Sequence, residues 1–229
     1  FADAAEAFVA MKQQVNIRFG KWQEIIDHPL PDDPELYSAS TAIGLYAKTV
    51  ANAALGNIAE AKACRAAFAE AKEAVPESRR VHNNTVVDLL GVAEAMADGE
   101  LAYRQGEHEE AFDHLRRAVR LEDELLYDEP WGWMQPTRHA LGALLLEQGH
   151  FTEAEAVYRA DLGLDPSVGR SRHHPNNLWS LFGLLECLRQ RGEEVESVLI
   201  AHQFDLAQAR SEVTVKASCF CHQAAMAAG

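Results

Sequence analysis

LGALLLEQGHFTEAEAVYRADLGLDP, residues 141–166, carries the pattern that decides the fold. Apolar residues recur at helical spacing up to Leu146, a glycine interrupts at Gly149, and a second helical period runs from Phe151 until Pro166 stops it. A glycine after a helical run suits the left-handed conformation that ends a helix, and the acidic residue close behind it suits the positive start of the next. The unit predicted is a helix hairpin. Gly142 and Ala154 are small where its two helices cross, and Phe151 and Tyr158 fill the space between neighbouring hairpins.

The same punctuation recurs at Gly20, Gly56, Gly106 and Gly192, so the five turns are separated by 36, 50, 43 and 43 residues. Proline and glycine fall almost wholly between the periodic segments and β-branched runs are scarce, which predicts an all-α chain. Stacked hairpins grow along one axis, so one domain over 1–229 is compatible with the length, with 211–229 as a capping tail beyond the last hairpin.

LAYRQGEHEEAFDHLRRAV (101–119) and the opening stretch resemble tetratricopeptide repeats, with Leu141, Gly142, Leu145, Gly149, Phe151, Ala154, Tyr158 and Pro166 supplying most of the pattern in the second. The stretch RRAVRLEDELLYDEPWGWMQPTRHALGALLLEQG, together with HPNNLWSL and SCFC, is similar to the C-terminal part of long bacterial and fungal proteins of this type. The resemblance implies a right-handed α-solenoid of about four to five hairpins whose first helices line a concave groove. That groove would hold a protein or peptide segment. Counting back from the turn glycines places Met96, Glu100, Tyr103, Arg104, His139, Glu147, Trp179, Phe182, Glu186 and Arg189 in it. Members that bind chaperone C-termini carry lysine, asparagine and arginine there. Met96 and Glu100 depart from that pattern and argue against such a ligand.

The balance of 21 basic against 35 acidic residues gives −14, a field that repels a phosphate backbone and excludes nucleic acid as the expected partner. No stretch approaches the ~18 uninterrupted apolar residues of a membrane span. Four cysteines make no disulfide framework, and the default is a reducing, cytoplasmic setting. The chain opens at Phe1 already in helical pattern, which reads as a fragment of something longer. No glycine-rich phosphate loop, G-x-S-x-G elbow or H-E-x-x-H is present.

Two loops exceed what a hairpin needs. In YDEPWGWMQP, Trp131 and Trp133 either cap apolar helix ends or belong to a site. In DPSVGRSRHHPNN, Asn176 or Asn177 suits the start of the helix that follows. Cys219 and Cys221 alternate with Val213, Val215 and Ala217. If that run is extended, both thiolates can face one ion, with His222 or the loop histidines His173 and His174 completing a site for zinc or copper(I). The competing reading has them as small buried side chains at the end of the fold.

Overall fold

The computed structural model describes residues 2–221, and most of them are helical. The exceptions to the all-α expectation among them are β1 (Arg80–Val81) and β2 (Asn84–Thr85), a two-rung antiparallel ladder. Among the described residues no helix is long and apolar enough to cross a membrane. The chain divides into two compact units, Phe1–Gln135 and Pro136–Gly229.

Unit 1 opens with α1 (Ala2–Ala5), a 3-10 turn over Glu6–Ala10, α2 (Met11–Arg18) and α3 (Trp22–Asp27). Two long hairpins follow, α4 (Ser38–Ala54) with α5 (Ile58–Glu73) and α6 (Val86–Arg104) with α7 (His108–Glu124). Unit 2 repeats the device with α8 (Thr137–Glu147) and α9 (Phe151–Leu162), then α10 (Leu178–Arg191) and α11 (Glu194–Gln208). All five predicted turn glycines have positive φ, from 62° at Gly20 to 83° at Gly106. Asn177 is the cap that starts α10, its Oδ1 accepting from Trp179 N and Ser180 N at 3.0 and 3.2 Å, while Asn176 turns the chain at φ 59°.

In unit 1 distant polar groups fix the helix starts. The buried Glu6 carboxylate accepts from Ala39 N at 2.7 Å and from Ser40 N at 3.1 Å, capping α4 from 33 residues away. Arg79 lies beside it, 3.5 Å from Glu6 and 2.9 Å from Asp3. Asn84 grips the loop after α7 by accepting from Leu126 N and donating to Asp128, at 2.7 and 2.6 Å. That anchored loop brings Trp133 under cover against Tyr46, ring centres 5.6 Å apart. Trp131 stays 41% exposed.

Unit 2 is organised by one ring. Tyr158 of α9 passes between α8 and α10 where both carry glycine. A Cβ on Gly142 would lie 2.5 Å from the ring, and one on Gly183 2.1 Å. The small residue foreseen at 142 thus has an unforeseen counterpart at 183. We predict that Gly183→Ala destabilises unit 2 by about 1–3 kcal/mol, because a fully buried ring has nowhere to retreat. Gly91→Ala in α6, whose nearest neighbour would be Leu121 Cδ1 at 4.0 Å, should instead stabilise by up to about 1 kcal/mol. Urea midpoints of the two variants check the contrast.

Candidate functional site

Helical spacing of four puts Ala143 and Glu147 on one side of α8, and Phe182, Glu186 and Gln190 on one side of α10. Those two stripes, with Leu146 and Phe151, wall a cleft of about 510 Å³. Its third side is the chain's own Lys216–Ser218, beyond α11. Here the backbone is not helical, and Val215, Ala217 and Ser218 are buried. Ser218 fastens the segment, its hydroxyl 2.5 Å from the Tyr158 hydroxyl and 3.3 Å from the His139 carbonyl. The cleft therefore combines apolar rings from Phe151 and Phe182 with the carboxylates of Glu147 and Glu186. Glu186 is paired with Arg189 at 2.9 Å.

Behind the cleft lies a closed polar network centred on Asp161, which has no exposure. His139 Nε2 approaches its Oδ2 at 3.1 Å, Ser180 Oγ donates to the same oxygen at 2.6 Å, and His174 Nδ1 meets Oδ1 at 2.7 Å. Burial works to raise the carboxyl, but the charge and hydrogen bonds of His139 and His174 outweigh it and hold Asp161 well below the usual carboxylate range. Burial pushes the Tyr158 phenol far above its usual range and the Cys187 thiol up to about 12. These groups are shut away from solvent. They position α8, α10 and the intervening loop and offer no reacting atom to a ligand.

Of the expected groove residues, Glu147, Phe182 and Glu186 come together in the cleft, and Arg189 reaches it through Glu186. Trp179 is half-buried in the first turn of α10. His139 shares the stripe of Ala143 and Glu147 but is buried on Asp161, so it is no open groove side chain. The four on α6 belong to unit 1. Tyr103 stacks on His108 at 4.8 Å and packs on Phe112 at 6.4 Å, because a tyrosine near a helix end finds its best apolar cover across its own hairpin. Glu100 and Arg104 are both buried in an ion pair of 2.8 Å, and Met96 is half-buried. Tyr103 and Glu100 are thus buried within unit 1.

The metal reading gains no support among the described residues. Cys219 and Cys221 are joined in a disulfide, which as such offers no thiolate to zinc or copper. His173 Nε2 lies 2.8 Å from the Val168 carbonyl, His174 is engaged by Asp161, and His222 falls outside the described residues. Among the described residues no three His, Cys, Asp or Glu side chains gather as a metal site.

Sequence reasoning missed Asp161, Ser180, Gly183 and Ser218. Only Asp161 carried a signal. It follows Ala154 and Tyr158 at helical spacing on the buried face of α9, a carboxylate where the period calls for an apolar residue. In comparisons with known proteins, no family model, curated protein or solved structure matches the chain.

Removing one member of a buried network strands the others, so Asp161→Ala should cost about 3–5 kcal/mol. The folded carboxyl titrates below the ~3.9 of an unfolded aspartate, so its contribution is complete above about pH 4 and is lost as pH falls towards the folded value. Urea midpoints of the wild type and Asp161→Asn, measured from neutral pH downward, should stay apart above about pH 4 and converge below it.

Proposed function

We propose that the chain is a tetratricopeptide-type binding module, its hairpins forming a right-handed solenoid of four to five units, and that the cleft of unit 2 holds an extended protein segment. The carrying observation is that the protein already lays a non-helical stretch of its own chain along this cleft, with Val215 and Ala217 buried and Lys216 at the opening. An extended peptide lying beside it would meet Phe151 and Phe182 with its apolar side chains and Glu147 with its donors. The cleft's carboxylates and the overall charge of −14 favour a segment that is not acidic.

The reading is tested with an array of 10-residue peptides of varied sequence, about the length that spans two helix hairpins. The array is probed with the intact chain and with Phe182→Asp, circular dichroism verifying that the variant is folded. Wild type should capture a subset rich in small apolar and basic residues, and the variant should lose that capture at least about tenfold. Equal capture by both would remove the cleft of unit 2 from the function.

A further inference from the structure

Unit 1 contains a cleft of its own, about 430 Å³, within the ~300–1,000 Å³ range of sites that take small molecules. One wall is α4, where Ser40, Gly44 and Lys48 follow one another at spacings of four, and the facing wall is the stretch 28–33 between α3 and α4. Gly44 lets that stretch come close, since a Cβ there would lie 2.8 Å from Leu30 Cδ2. Pro29 and Pro31 hold it in extended form with few donors of its own to present.

The polar groups of this cleft are laid out by sign. At one end is Lys48, whose ammonium donates to the carbonyls of Ile25 and Ile26 at the close of α3, two of its three protons being used. At the other end, just before α4 begins, are Asp32 and Asp33. Asp33 Oδ1 accepts from Leu36 N at 3.0 Å and retains its second oxygen, whereas the Asp32 carboxylate has no hydrogen bond or ion pair among the described residues. Ser40 is committed to Glu6. Between the walls is Gln13 of α2, 4% exposed, whose Oε1 has no partner among the described residues although a buried acceptor ordinarily has one. From Ser40 to Lys48 is eight helical residues, about 12 Å.

A ligand matching this layout carries a cation at one end, an anion roughly 10–12 Å away, and an N–H between them for Gln13. An extended peptide advances about 3.3 Å per residue, so three residues with free termini have that length and that polarity. We propose that the cleft of unit 1 binds a short free peptide of about three residues. Its terminal ammonium lies against Asp32 and Asp33, its terminal carboxylate against Lys48, and a backbone N–H donates to Gln13 Oε1. Specificity is for the two charged ends and the distance between them. Side chains on the peptide project from an extended backbone, and no further Asp, Glu, Lys or Arg lines the cleft to select them.

Isothermal titration of the full chain with trialanine at neutral pH tests this. Saturable binding with a Kd at or below about 1 mM is expected, weakened at least about tenfold for N-acetyl-trialanine and for trialanine amide, each of which deletes one end charge. Gln13→Leu should weaken trialanine at least about fivefold while leaving the urea midpoint unchanged or higher, because it removes an unpartnered buried acceptor. A merely structural Gln13 would lower the midpoint and leave the Kd alone. Phe182→Asp, in unit 2, should leave this Kd unchanged and so keeps the two sites distinguishable. No saturation by trialanine at about 1 mM, equal affinity of the blocked peptides, or Gln13→Leu binding like wild type would overturn the proposal.

Discussion

The Asp161 carboxylate and the Tyr158 hydroxyl, three residues apart on α9, carry polar atoms into the interior of unit 2, and each must be answered there by another polar atom. An unanswered group would cost about 1–3 kcal/mol, and more for a charge. The answers come from separate parts of the chain: His139 on α8, His174 in the loop, Ser180 on α10 and Ser218 beyond α11. Each answering residue also fixes the element that bears it. The loop 163–177 is held to α9 twice by residue 174, through its ring and through its backbone N–H, which donates to the Asp161 carbonyl at 2.6 Å. The segment ending at Cys221 lies along the cleft because the Tyr158 hydroxyl meets Ser218 there. The shape of the candidate site is thus a consequence of satisfying buried polarity.

Unit 1 follows the same rule with different groups, Glu6 capping α4 and Asn84 gripping the loop that delivers Trp133. Its exceptions are concentrated. The buried side-chain atoms without a partner among the described residues are Gln13 Oε1, Gln14 Oε1, Asn16 Nδ2, Thr41 Oγ1 and Trp133 Nε1, three of them on α2. Gln14 and Trp133 both line a small, largely apolar cavity of about 30 Å³, room for little more than a water that could bridge an acceptor and a donor. Gln13 faces the larger cleft, where a water-sized answer is not the natural one. Unmet polarity at the edge of a roomy cleft is a different physical situation from unmet polarity in a crevice.

The helices and turns were legible because they depend on local rules. A glycine at φ near 80° and an asparagine capping α10 can each be read from a few neighbours in sequence. The positions of Glu147 on α8 and of Phe182 and Glu186 on α10 were legible for the same reason, as counting from a turn glycine fixes direction on a helix. Misplacements arose where direction was not enough. Tyr103 had a neighbouring hairpin helix to lie on, and His139 a buried carboxylate 22 residues away. The disulfide, the Gly183 contact and the Ser218 anchor join residues whose proximity no spacing announces. Ser218 and Tyr158 are 60 residues apart, and such pairs become visible only once the chain is folded.

Anchoring and recognition use the same helices in unit 2 but successive turns of them. On α8, His139 engages Asp161, while Ala143 and Glu147, one and two turns further, line the cleft. On α10, Ser180 engages Asp161, and Phe182, Glu186 and Gln190 line the cleft. Glu186 pairs with Arg189 and not with the Asp161 network, so the chemistry of the cleft can change there without disturbing what holds its walls apart. The reverse does not hold. A loss at Asp161 frees its partners on α8 and α10, and a loss at Tyr158 frees the Ser218 segment, so the selectivity of the cleft rests on side chains that never touch a ligand.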